Sequence, residues 1–377
     1  MDDLEQILSD LVAIDSVNPD LIAGAAGETK IAHYIAHWLE TAGLKVQLIE
    51  PISGRPNVVA IAHGTGGGKT LLFNGHMDTV GAGGMENPHQ PTIKNGRLYG
   101  RGAYDMKGGL AACMVAMAAA QKEHLRGDVI FTAVVDEEFS SLGTQQLATR
   151  FHTDGAIVSE FTELQLILTH KGFAWFEVET QGRAAHGSRP DLGIDAIVKM
   201  GKVLVALDKL DLALRSNPSH PLLGSGSVHA SLISGGKEPS TYPDRCLLSI
   251  ERRTLPGETP SQVEGEVQAI IDKIHNKDAS FRAVVRRGID RSPLETSEEV
   301  GIVKAVQAAA GKILNHPLLI AGVPFWTDAA LLSEAGTPSV LLGPSGSGAH
   351  ADVEWVDLAS VRTCADIYLA TAKEFCS

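Results

Sequence analysis

Leu4, Ile7, Leu8, Leu11 and Val12 recur at the three- and four-residue spacing that puts side chains on one helical face, and the segment from Ser16 to Pro19 stops that helix. A second helix carries Ile31, Ile35, Trp38 and Leu39 inward and ends at Gly43, the residue type that best tolerates a left-handed cap. Short apolar runs then predict strands at residues 46–49, 57–62 and 71–74. The alanine-rich stretch 106–121 predicts a further helix.

Near residue 172 the periodicity changes. Residues 173–180 alternate as a strand, 194–214 read as a helix, 228–234 and 246–253 as strands, 261–274 as a helix and 280–286 as a strand. The order β-α-β-β-α-β is the ferredoxin-like split motif, a unit complete in itself. Beyond about Asp290 the chain returns to helices and buried strands, at 303–313, 318–321 and 340–342, and closes with a helix over 358–375. The predicted class is α/β: a central, mostly parallel sheet flanked by helices, interrupted by an inserted α+β unit. The expected boundaries are 1–171, 172–289 and 290–377, with the first and last segments forming one discontinuous domain.

An apolar fraction of 44% is that of an ordinary globular chain. No apolar run approaches the roughly 20 residues of a membrane span, so no membrane partner is expected. The acidic start, Met1-Asp2-Asp3-Leu4-Glu5, lacks the basic and apolar regions of a signal peptide. A formal charge of −13 argues against a nucleic-acid partner, because such affinity rests on basic side chains neutralising phosphates. Cys113, Cys246, Cys364 and Cys376 show no paired metal or redox spacing, and reduced thiols in a cytoplasmic protein are expected.

Acidic and imidazole groups stand where the apolar runs end. His76 and Asp78 follow one run and Glu137-Glu138 another; Glu160 follows a third and His350 lies beyond a fourth. Asp105 sits in a glycine-rich loop at a helix start. In an open α/β sheet the carboxyl ends of the strands converge on one crevice, so these groups can meet there. Two imidazoles and several carboxylates gathered in that way call for a cation. His76 and Asp78, two apart at a strand end, can point to the same side, whereas adjacent Glu137 and Glu138 diverge and should have different duties.

The words Gly-His-Met-Asp-Thr-Val at 75–80, Gly-Arg-Gly-Ala-Tyr-Asp-Met-Lys-Gly-Gly at 100–109 and Asp-Glu-Glu at 136–138 come in one order and spacing with Gly143-Thr144, Ser159-Glu160, Ala349-His350 and Glu354. Together they resemble the aminoacylase, acetylornithine deacetylase, succinyl-diaminopimelate desuccinylase and carboxypeptidase G family of dinuclear zinc hydrolases. The resemblance runs through nearly the whole chain. It implies a zinc-peptidase-like catalytic domain and makes the insert a lid that also forms a homodimer.

By resemblance, two divalent metals, zinc before cobalt or manganese, are held by His76, Asp105 and Glu160 and by His350, Asp105 and Glu138, with Asp105 bridging and a cis peptide bond after it. Asp78 would fix the His76 ring, and Glu137 would be the general base for a metal-bridged water. His186 would reach the partner subunit's site and stabilise an oxyanion. Arg253 would pair with a substrate carboxylate, with Arg252 the competing choice. Relatives carry asparagine before Pro243, where this chain has Ser240-Thr241-Tyr242, making Ser240 a candidate substrate contact; Phe161 stands where many relatives have proline.

The implied activity is hydrolysis of the amide bond of N-acyl-L-amino acids. A metallo-dipeptidase or glutamate-type carboxypeptidase is the alternative within the family. A silent binding protein is the alternative outside it, opposed by the presence of every ligand. Two other signals are set aside. His63 to Thr70 has a glycine-rich, Lys-Thr ending like a phosphate loop, but a strand follows where a helix is needed, and a hairpin turn is expected. His33 and His37 lie off the apolar face of their helix and are expected in solvent.

Overall fold

The computed structural model describes residues 3–377; Met1 and Asp2, with which the first expected domain begins, lie outside them. The chain divides into two compact units. One comprises residues up to Leu168 with Thr296–Ala321 and Thr327–Ser377, the other Thr169–Glu295 with Gly322–Trp326. The second unit extends past 172–289 because hydrogen bonds tie its ends together. Thr169 Oγ1 donates to Leu294 O at 2.8 Å, and Lys171 N to Val323 O at 3.3 Å.

In the first unit the sheet runs, in spatial order, Lys45–Ile52, Arg55–Ala62, Val129–Val134, Leu71–His76, Gly155–Val158, Ser339–Leu341 and Leu166–His170. Parallel pairing is confined to the four strands from Val129–Val134 to Ser339–Leu341, and the outer pairings are antiparallel, so the sheet is mixed. The four parallel strands bring His76, Asp136 and Ser159 to the same edge. The segment His63–Thr70 is no hairpin turn: Val129–Val134 is inserted between the strands it joins, pairing with both. Gly64 N instead donates to Asp128 Oδ1 at 2.8 Å.

Periodicity located the helices because each must bury its apolar stripe. Asp3–Ala13 buries Leu4, Ile7, Leu8, Leu11 and Val12. Thr29–Thr41 buries Ile31, Ile35 and Leu39, with Trp38 only partly covered, and His33 and His37 are exposed. Gly43 has φ +87°, and Leu44 N returns to Leu39 O across it. The alanine-rich helix runs Gly108–Ala120, shorter than expected, because Asp105 and Met106 have non-helical φ/ψ and the bond between them is cis. Leu358–Phe375 packs against it.

The second unit is a four-stranded antiparallel sheet in the order Ser227–Gly235, Arg245–Thr254, Gly172–Gln181 and Arg282–Arg291. Helices Ala196–Arg215 and Pro260–His275 contribute Met200, Val203, Val263 and Val267 to a core with Phe176, Val178, Leu248 and Ile250. The Asp195 side chain caps the first helix, and Thr259 with Gln262 forms a capping box on the second.

One close approach sets the site's framework. A Cβ on Gly109 would stand 2.0 Å from the Ser159 carbonyl oxygen, backbone next to Glu160. Gly109→Ala is therefore expected to destabilise the metal-free protein by at least about 1–3 kcal/mol, the usual cost of overpacking. Urea unfolding measures it; an unchanged midpoint would mean the helix start can move aside freely.

Candidate metal centre

His76 ends the Leu71–His76 strand and is 1% exposed. Its Nδ1–H donates to the main-chain oxygen of Asp78 at 2.9 Å, which orients the ring and turns Nε2 toward the other candidates. That nitrogen lies 3.2 Å from Asp105 Oδ1, 3.6 Å from Glu160 Oε1 and 4.0 Å from Glu137 Oε2. On the other side of Asp105, His350 Nε2 is 3.2 Å from Asp105 Oδ2 and 3.2 Å from Glu138 Oε2. Asp105 thus stands between two imidazoles with one oxygen toward each.

The ring of His76 is held by the Asp78 carbonyl rather than by its carboxylate, whose Oδ1 is 3.6 Å from Nδ1. The carboxylate is taken by other donors. Oδ1 accepts from Glu137 N at 3.2 Å, and Oδ2 from Glu138 N at 3.1 Å and Asn18 Nδ2 at 2.8 Å.

Electrostatics follow from crowding and burial. Burial raises the Glu160 carboxyl to about 8, with help from Asp105, Glu138 and Asp328 and against the pull of His76. Glu137 and Glu138 are pushed upward for the same first reason, Glu137 well above the carboxylate range. Hydrogen bonds donated to the Asp105 and Glu138 carboxylates lift His350 to about 10. Burial opposes charge on His76, yet the Asp105 bond and the carboxylates of Glu160, Glu137 and Asp78 outweigh it and hold the imidazole well above its usual value. Asp105, despite burial, is held low by its two imidazole partners.

Such a set is suited to cations. Donor atoms of His76, Glu137 and Glu160 lie within 4.8 Å of one another, as do those of His76, Asp105 and Glu138. Among the described residues Glu138 Oε1 and Asp328 Oδ1 are buried with no hydrogen-bond partner. An orphaned carboxylate oxygen is costly in a dry site and is satisfied by a cation. Four carboxylates facing two imidazoles also match the charge of two divalent ions.

Several supporting residues escaped the sequence reading. Glu354, in sequence only one word of the motif, builds the Asp105 loop. It accepts from Gly102 N and Tyr104 N at 2.9 Å, Asp105 N at 3.0 Å and Arg101 Nη1 at 2.8 Å. Asp105 is consequently not a helix cap, and its carboxylate is free for the site. Asp328 lies behind Glu137 and Glu160, accepts from Thr144 Oγ1 at 2.6 Å, and is raised by burial to about 6. Nothing in the periodicity marks it. Only its place after the short 320–323 strand could have suggested it.

The remaining candidates belong to the second unit. His186 is exposed, and its Nδ1 accepts from Ser188 N at 3.2 Å with Ser188 Oγ at 2.8 Å, which puts the ring proton of the neutral form on Nε2. Ser240 is exposed, and its carbonyl accepts from Gly187 N at 2.7 Å. Arg252 is buried and held by Glu258 and Glu266, whereas Arg253 stays partly exposed beside Glu251 with its guanidinium over Phe173. Of the two arginines, Arg253 is the one with a face open to a ligand.

Comparison with known proteins agrees with this architecture. The chain is 29% identical to the acetylornithine deacetylase of Myxococcus xanthus over 391 residues, covering 99% of this chain and 97% of that enzyme. It is 27% identical to the N-formyl-4-amino-5-aminomethyl-2-methylpyrimidine deformylase of Bacillus subtilis (strain 168), covering 100% and 95%. Its fold is similar to that of the M20 family metallo-carboxypeptidase Sso-CP2 from Sulfolobus solfataricus, with a TM-score of 0.80 at 20% identity, over 100% of this chain and 99% of that one. Residues 72–374 match the model of a single family, and with its motifs in order along that span the chain belongs to Peptidase family M20/M25/M40.

Proposed function

We propose that this hydrolase is a metal-dependent amidohydrolase that removes the acyl group from N-acyl-L-amino acids. Asp105 carries the assignment, because its two oxygens each face a different imidazole at 3.2 Å. A carboxylate so placed suits two divalent cations, one held by His76, Asp105 and Glu160 and the other by His350, Asp105 and Glu138. Imidazole and carboxylate donors fit zinc first, with cobalt or manganese acceptable to the same set. When bound, such a pair supplies Lewis acidity at the scissile carbonyl and makes water nucleophilic near neutral pH.

The protein's own groups do the rest. Glu137, raised by burial and beside the cluster, takes the proton of the attacking water and returns it to the departing amine. Asp78 orients His76 through its carbonyl and both glutamates through its carboxylate. Arg253 offers a planar fork to the α-carboxylate, and Ser240, beyond the other end of the Arg245–Thr254 strand and next to the His186 loop, is a further candidate contact. Relatives named a deacetylase and a deformylase support loss of an acyl group over peptide cleavage.

A homodimer belongs to the same reading. The Ser227–Gly235 strand is a sheet edge with Leu232 73% and Ile233 55% exposed, a surface that favours pairing with a second copy. In such a dimer His186 of the partner subunit donates from Nε2 to the oxyanion. A cytoplasmic location accords with four free, buried cysteines. Among the described residues no helix is long and apolar enough to cross a membrane.

Exhaustive chelation is expected to abolish release of amine from N-acetyl, N-formyl and aromatic N-acyl amino acids, and zinc or cobalt to restore it. Faster cleavage of dipeptides in the same assay would move the assignment to a dipeptidase, and full activity without metal would remove it. Glu137→Gln should keep its metal while turnover falls by roughly 10²–10⁴. Glu138→Gln should instead lose metal, and elemental analysis separates the two. Mixing His186→Ala with Glu137→Gln chains should restore activity to about a quarter of wild type, since about half the dimers are mixed and each then has one complete site of two. If subunits exchange and no activity returns, His186 does not act across the dimer.

A further inference from the structure

Behind Asp78 lies a second polar cluster, buried and outside the proposed ligand set. Asn18 is 0% exposed and uses its amide group on two carboxylates, donating to Asp78 Oδ2 at 2.8 Å and to Asp136 Oδ1 at 3.1 Å. Its side-chain oxygen accepts from Asp20 N at 2.9 Å, and its main-chain N–H donates to Thr79 O at 2.9 Å. Thr79 N in turn donates to Ser16 O at 3.1 Å. The amide is therefore fixed from both sides by backbone and has one orientation that satisfies every partner.

The two carboxylates it joins are those that aim the glutamates. Asp78 accepts from the amides of Glu137 and Glu138. Asp136, the residue before them, is 0% exposed and sits at φ +70°, the left-handed turn that carries the chain from the strand into Glu137. It is also bonded by Ser140 Oγ at 2.5 Å and by Arg55 Nη2 at 3.2 Å. Arg55 is held by the buried Glu28, Nε to Oε2 at 2.8 Å and Nη2 to Oε1 at 2.5 Å. Asp78 and Asp136 would repel each other across this gap. The Asn18 amide donates to both, and the Arg55 guanidinium donates to Asp136 and offsets its charge.

We propose that Asn18 is a positioning residue for Glu137 and Glu138, acting through Asp78 and Asp136, with Arg55 as the charge that holds Asp136 in place. The effect on turnover rests on the general-base and ligand roles proposed above; the effect on backbone geometry does not. A carboxylate cannot replace the amide. Asn18→Asp keeps the shape but turns both donated bonds into facing lone pairs, adding a third negative charge between two.

The test compares Asn18→Asp and Asn18→Ala with wild type in three readouts. Hydrogen exchange of the metal-free protein reports the amides of residues 136–138, and roughly tenfold faster exchange there is expected while the Val129–Val134 strand stays protected. In the cobalt-loaded protein the visible spectrum should change and metal affinity should fall by about 10–100-fold, the usual effect of losing a hydrogen bond that orients a ligand. For the zinc enzyme kcat should fall at least about tenfold with KM altered less than about twofold. Wild-type exchange at 136–138 in either folded variant overturns the proposal, even if wild-type protein proves to hydrolyse nothing. A lowered melting temperature with wild-type kcat and cobalt spectrum overturns it too, because Asn18 would then be a packing residue only.

Discussion

Like-charge repulsion at the end of one sheet is the constraint on which the rest of this structure depends. Asp105, Glu137, Glu138 and Glu160 are gathered against the buried His76 and the more exposed His350. Left alone they would spread apart or take up protons, and burial first, then the neighbouring carboxylates, raises the pKa of Glu160 and Glu137. Holding them together requires either cations among them or a rigid frame around them. The surrounding residues supply the frame.

Three devices build it, and each works through the main chain. Glu354 gathers the loop amides of Gly102, Tyr104 and Asp105 and the guanidinium of Arg101, so the Asp105 loop is stitched to the chain segment that carries His350. Asp78 fixes the His76 ring with its carbonyl and the two glutamates with its carboxylate. Gly109 lets a helix start pass so close to Ser159 that Glu160 has little room to retreat. A hydrogen-bonded main chain tolerates a repulsive cluster better than mobile side chains do, because the cost of spreading is then paid in several bonds at once.

The second unit follows a different logic. Its core and capped helices form a layered unit of their own, and His186 and Ser240 stand exposed at the surface of that unit. The contrast between Arg252 and Arg253 illustrates the point. Adjacent on one strand, they face opposite ways, and the one locked by Glu258 and Glu266 is structural while the other keeps an open face.

The sequence by itself determined the elements and the chemical inventory. Periodicity marked the helices at 3–13 and 358–375, because burying an apolar stripe imposes a local spacing. The repeated ending of apolar runs in His, Asp or Glu pointed to one crevice, since strand polarity is a local property too. Which atoms meet was decided only by the tertiary structure. The hairpin expected after Ala62 is a crossover, because the strand that fills the gap comes more than sixty residues later. Asp328, Asn18 and Arg55 carry no periodic signal, for a buried polar residue is defined by partners distant in the chain. That the Asp78 carbonyl, not its carboxylate, orients His76 was equally invisible, because the carboxylate's partners are main-chain amides sixty residues away whose positions only the folded sheet supplies.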